Sequence, residues 1–139
     1  MAVLLDAGLK NGIHPPEKQI PGERLALLAL TKTYGIRAVA SESPVYKSIE
    51  IHNDTIQISF DKAPMWITAK ESGLKLFTVA GEDKVFHPAK AWIVHSKVYV
   101  SSDAVVKPVA VRYAFENYVD GDLFGTEGLP VSSFRSDNW

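Results

Sequence analysis

Four histidines stand where proton transfer could take place: His14 in "NGIHPPEK", His52 after an Ile-Glu-Ile run, His87 before a proline, and His95 beside Ser96. Imidazole is the side chain that titrates nearest neutrality, so each is first read as a general base. Only His14 has a setting that suits the task. It follows a short apolar run and precedes an apolar helix, and Pro15 stiffens the backbone beside it. Loops at the C-terminal ends of strands are where α/β folds place their sites. The competing account is a loop histidine that caps the helix. His52 and His95 fall at expected hairpin turns and His87 at a strand edge, where solvated polar side chains are ordinary. No two histidines show the helical spacing of a metal site and no His-Glu motif occurs, so the sequence supports no metal centre. Cysteine is absent, which removes disulfides, thiolate metal sites and a cysteine nucleophile.

The elements that would position His14 come first in the chain. "AVLLD" reads as a short buried strand ending in Asp6. A loop holding Pro15, Pro16 and Pro21 comes next, then a helix from Gly22 through "GERLALLALTKTYG", with Glu23 in its first turn and Gly35 as its C-terminal cap. Residues Leu25 to Leu30 are apolar at every angle around the axis, so this helix expects to be covered on most sides. A strand, loop and helix make half of an α/β unit, and such a strand finds no parallel neighbour in the rest of the sequence. The expectation is that the first 36 residues belong against an α/β domain outside this sequence, or else pack onto the remainder of the chain.

A boundary falls near "RAVASESP", residues 37–44. From Val45 the pattern turns to period two with turn signals at the spacing of an all-β sandwich. "SIEIHNDTIQISFD" reads as a hairpin turning at Asn53-Asp54. "GLKLFTVAG", "KVFHPAKAWIVHS" and "KVYVSS" come after it as strands, and "KPVAVRYAF" as a central, heavily buried one. The tail from Glu116 reads as a long loop packed onto the domain. The fold class is therefore mainly β: a β-sandwich over 44–139, preceded over 1–36 by a strand-loop-helix remnant of an α/β domain.

Charge and hydropathy narrow the partners. Lys and Arg total 15 against 16 Asp and Glu, with no basic cluster, so the footprint of nucleic-acid binding is missing. The longest apolar run, Leu25 to Leu30, falls far short of the roughly 20 residues a membrane span needs. "MAVLLDAGLK" has none of the basic start, longer apolar stretch and cleavage site of a secretory signal.

Taken together, "GIHPPEKQIPGERLALLALTKTYG", "KPVAVRYAFENY" and "EGLPVSSFRSDNW" resemble the C-terminal third of bacterial sialate O-acetylesterases, members of the SGNH or GDSL hydrolase superfamily. The resemblance runs through nearly the whole chain. It implies that residues 1–36 are the last strand, His loop and helix of an SGNH-type hydrolase domain and that 44–139 are an accessory β-sandwich. It further implies hydrolysis of acetyl esters on sugars, no metal or organic cofactor, an exported, periplasmic or secreted full-length enzyme, and His14 as the base that activates a serine. That serine lies in an upstream Gly-Asp-Ser motif in the family, and no Gly-Asp-Ser occurs here. Where superfamily members carry an aspartate three residues before the histidine, this sequence has Asn11, and where the acetylesterase branch carries an acid two residues before it, Gly12. Asn11 could hold the ring through its carbonyl oxygen, stabilising an imidazolium less than a carboxylate would. Asp6 is the other candidate for that role, and Ser132 and Ser133 are the local hydroxyls of the right class. The partners implied are an O-acetylated carbohydrate and the remainder of the hydrolase domain, and the apolar helix offers a surface for self-association.

A reading from another class is a non-catalytic carbohydrate-binding or interaction module. Trp66, Trp92, Tyr99, Tyr113, Phe115 and Tyr118 could form a sugar-stacking platform, although aromatic residues in strands more often pack cores and cross-strand pairs. Arg112 and Arg135 could pair with the carboxylate of an acidic sugar, or serve only as ion pairs.

Overall fold

The computed structural model describes residues 1–139 apart from Pro15 and Pro64. The stiffening role expected of Pro15 therefore lies outside the described residues. Residues 2–6 form no strand, because an extended segment is held only by a neighbouring ladder and none runs beside it. Leu4 and Leu5 instead enter a turn closed by Ala7 N–H on the Leu4 carbonyl at 3.1 Å.

Helix α1 spans Gln19–Lys32 and begins three residues before Gly22. Pro21 sits in its first turn, where a missing amide costs no helical hydrogen bond. Glu23 thus falls beyond the first turn, which holds no acidic residue, and accepts a hydrogen bond from the Gln19 side chain. The far end turns at Gly35 as expected. Its φ of 71° lets Ile36 N–H return to the Leu30 carbonyl at 3.0 Å. No residue of α1 is buried.

The remainder is an antiparallel sandwich, so the class is mainly β as the pattern indicates. One sheet runs in the order β1 (Val45–His52), β2 (Thr55–Asp61), β7 (Lys97–Ser101), β6 (Lys90–Val94). The other runs β10 (Phe134–Arg135), β8 (Ala110–Tyr113), β4 (Phe77–Ala80), β5 (Phe86–Pro88), and β3 (Ile67–Ala69) pairs with β9 (Leu123–Gly125). Alternation aims Ile56, Ile58, Val98 and Val100 of the first sheet at Phe77, Val79, Val111 and Tyr113 of the second, and all eight are essentially inaccessible. Each such side chain contributes about 1.5–3 kcal/mol, which makes this layer the source of the fold's stability. Phe134 locks its edge, stacking on Tyr46 at 4.8 Å and 12°.

The hairpin expected at Asn53-Asp54 is present, with His52 paired to Thr55 and Asn53 at φ 57°, a conformation asparagine tolerates. The single strand expected over "KVFHPAKAWIVHS" divides at Ala89. Phe86–Pro88 pairs with β4 in one sheet and Lys90–Val94 with β7 in the other. Pro88 cannot donate to a ladder, so its strand stays at an edge and the chain turns the sandwich corner there. The tail is packed, as its isolated apolar residues suggest, but it also supplies β9 and β10.

Candidate functional site

The segment leading to His14 is tied at both ends. Leu5 lies against the loop joining β8 to β9: its carbonyl accepts Gly121 N–H at 3.0 Å, and a Cβ on Gly121 would stand only 3.2 Å from Leu5 Cβ. Asp6 is engaged by Arg24 of α1 through two hydrogen bonds of 2.7 and 2.6 Å, and the same guanidinium donates to the Val3 carbonyl at 2.7 Å. Between these anchors Leu9 and Gly12 form an isolated antiparallel bridge, which makes Lys10 and Asn11 the tip of a reverse turn. Ile13 and His14 come next, both exposed, with Ile13 at 89%.

Asn11 and Lys10 form one side of an open cleft of about 660 Å³ whose other side is Phe115, Glu116, Asn117 and Tyr118. This places the His14 loop beside the β-sandwich rather than away from it. Among the described residues, Asp6 bonds to Arg24 and not to His14, and Ser133 does not line the cleft that Asn11 borders. Asp6, one sequence candidate for orienting the imidazole, is occupied on both oxygens by Arg24 and serves to close the loop. Ser133 borders a second hollow that shares Phe115, Glu116 and Asn117 with this cleft but not Lys10 or Asn11.

Arg112 and Arg135 are not free for an acidic sugar. Arg112 donates twice to Asp137, at 2.9 and 2.8 Å, and Arg135 approaches the same carboxylate at 3.9 Å. The Arg112 hydrogen bonds hold the Asp137 carboxyl below the usual carboxylate range, and the same pairing raises the guanidinium. Tyr113 is equally structural: its hydroxyl accepts the amides of Asp122 and Leu123 at 3.2 and 3.0 Å, and burial pushes its phenol up. His95 turns the β6–β7 hairpin at φ 56° and stacks on Trp66 at 6.0 Å.

"KPVAVRYAF" reads as one buried strand, but β8 ends at Tyr113 and Phe115 is half exposed. Sequence reasoning named Phe115 and Tyr118 as possible stacking rings without placing them at Asn11, and missed Glu116 and Asn117. It also missed a clamp at the domain boundary, where Glu42 joins Lys32 of α1 to Lys62 of the sandwich. Those two lysines, Lys32 first, hold the Glu42 carboxyl down at about 2.

No family model matches the chain, and no curated protein does. Among solved structures it superposes, with a TM-score of 0.93 and 38% identity, on a carbohydrate acetylesterase from Xanthomonas citri described as novel. The match covers 99% of this chain and 32% of that one, so the chain spans about a third of the length of the esterase it resembles. From end to end, this chain is a relative of one segment of a carbohydrate acetylesterase.

Proposed function

We propose that the chain is the C-terminal segment of an SGNH-type carbohydrate O-acetylesterase, in which His14 is the general base and the nucleophilic serine lies outside these residues. The observation that carries the reading is the apolar surface of the first 36 residues: Ile13 is 89% exposed, Leu25 59% and Tyr34 73%, beside a sandwich that fills its own core. Exposed apolar side chains on a helix with no buried residue are what a missing partner surface would cover, and the rest of a hydrolase domain is the partner whose chemistry His14 completes.

In the assembled site one imidazole nitrogen of His14 takes the serine proton as Oγ attacks the acetyl carbonyl, and returns it to the departing sugar oxygen. A water then repeats the sequence on the acyl-enzyme and releases acetate. Asn11 orients the ring by accepting a hydrogen bond from its other nitrogen through the side-chain carbonyl. Residues 1–36 act as the last part of the hydrolase domain and 44–139 as the accessory β-sandwich. The substrate is an O-acetylated sugar, sialic acid or a xylan-type saccharide, met in the periplasm or outside the cell by the full-length enzyme. Reading the genomic frame upstream of the Met1 codon tests this. An open frame encoding Gly-Asp-Ser supports it, and an in-frame stop beside Met1 contradicts it.

A second reading, a non-catalytic sugar-binding module, is favoured by one feature. On the outer face of the first sheet the register aligns Glu50, Gln57, Tyr99 and Trp92 in a row, with Trp92 41% exposed and stacked on Tyr99 at 6.0 Å and 17°. Glycan binding at that row, unaffected by His14→Ala, would favour it.

A further inference from the structure

We propose that the loop Phe115–Tyr118 of the β-sandwich is the sugar-side wall of the cleft it shares with Lys10 and Asn11, next to the loop that carries His14, with Phe115 the ring on which an acetylated saccharide stacks. The proposal rests on the esterase reading of His14 and extends it to a residue in the accessory domain.

The placement comes first. Phe115, Glu116, Asn117 and Tyr118 face Lys10 and Asn11 across one cleft, and Asn11 stands three residues before His14. One backbone hydrogen bond, from Gly121 N–H to the Leu5 carbonyl, ties the two segments together, and Gly8 lies against the Tyr118 ring, where an added Cβ would stand 3.8 Å from Cε2.

The loop is also built to present its ring. Ala114 adopts φ 50°, a left-handed conformation that is strained for a non-glycine residue, and Ala114 N–H is held by the Leu76 carbonyl at 2.9 Å. That turn lifts Phe115 out of the strand direction. Beneath it the Arg112 guanidinium lies 4.9 Å from the Phe115 centroid and 3.9 Å from that of Phe86, fixed in place by Asp137, whose side chain is wholly buried. Phe115 is therefore cushioned on a cation that cannot swing away, yet it remains 50% exposed. A large, rigid ring kept half in water at low entropic cost is a stacking surface for the apolar face of a pyranose. The exposed Glu116 and Asn117 side chains beside it, with Asn11 opposite, supply the acceptors and donors that sugar hydroxyls require. Arg112 is engaged by Asp137 through two hydrogen bonds, while Arg135, 3.9 Å from the same carboxylate and 5.8 Å from the Phe115 centroid, keeps the ring beside a positive charge.

The test is a titration of the ¹⁵N-labelled 139-residue chain with a partially acetylated xylo-oligosaccharide. Amide shifts are expected at Asn11 and across Phe115–Tyr118. Phe115→Ala should weaken binding about tenfold, while Phe115→Trp preserves it. Unmoved amides at Phe115–Tyr118, shifts confined to the Trp92 and Tyr99 face, or equal affinity in a natively dispersed Phe115→Ala spectrum would each overturn the proposal. The wild-type shift map needs no variant, so misfolding of Phe115→Ala cannot mask the answer. Because the readout is binding, it separates from the catalytic reading: an active longer esterase whose sugar leaves these amides unmoved overturns the wall and keeps His14.

Discussion

Arg24 donates to both carboxylate oxygens of Asp6, at 2.7 and 2.6 Å, and so closes the loop that carries His14 from helix back to chain start. The pair is largely shielded, with side-chain exposures of 11% and 16%, and its fork geometry is one a lysine cannot reproduce. Arg24→Lys should cost about 1–2 kcal/mol and Arg24→Ala about 3, because the latter leaves Asp6 and the Val3 carbonyl unpaired. Thermal melting gives the stability loss, and hydrogen exchange at Leu9–His14 should rise in the same variants. Unchanged exchange there would show that the pair does not hold the loop.

The Glu42 clamp gives a pH dependence. Lys32, then Lys62, push its carboxyl down to about 2 from the usual 4.5. A folded value below the unfolded one means the stabilisation is complete above about 4.5 and is lost as pH falls toward about 2. Both lysines are half-exposed, so salt should weaken the clamp as well. Hydrogen exchange in α1, corrected for its intrinsic rate, should show added opening across that acid window, and Glu42→Gln should remove the dependence. A wild-type profile identical to that of Glu42→Gln would refute it.

Tyr113→Phe removes the acceptor for two buried amides, those of Asp122 and Leu123, while leaving the ring packing with Phe77 at 4.8 Å intact. A loss of about 1–3 kcal/mol is expected in denaturant unfolding. A loss below a few tenths would mean that water fills the gap.

The bare α1 should make the isolated chain associate. Leu25, on a helix with no buried residue, is 59% exposed, and Ile36 just beyond its end is 43% exposed. Light scattering should show dimers or larger species that Leu25→Lys reduces. A strictly monomeric wild-type chain would argue that the face needs no partner.

The sandwich was legible because half-buried strands write a period of two into the sequence: the Ile49–Phe60 hairpin and the buried Val111–Tyr113 strand both arise from it. The corner at Ala89 was not, since Lys90–Val94 continues the same alternation after changing sheets. "AVLLD" misled for a different reason. Its apolar residues record a burial that a strand needs neighbours to realise, and in this chain Leu4 stays 38% exposed. At the site, the sequence singled out His14 by its setting and its resemblance, and the structure leaves it exposed on its loop with its role a proposal. Phe115 stood among the possible stacking rings, but its placement was not legible, because it depends on Arg112, Asp137 and a left-handed Ala114, which only folding brings together.

The most direct measurement compares acetyl release from p-nitrophenyl acetate and an acetylated xylo-oligosaccharide by this chain and by the chain extended upstream through its reading frame, each with and without His14→Ala. The account predicts no turnover from the 139-residue chain, and turnover from the extended one that falls about a thousandfold or more when His14 is lost. His14-dependent hydrolysis by the 139-residue chain alone, or an extended enzyme indifferent to His14→Ala, would contradict it.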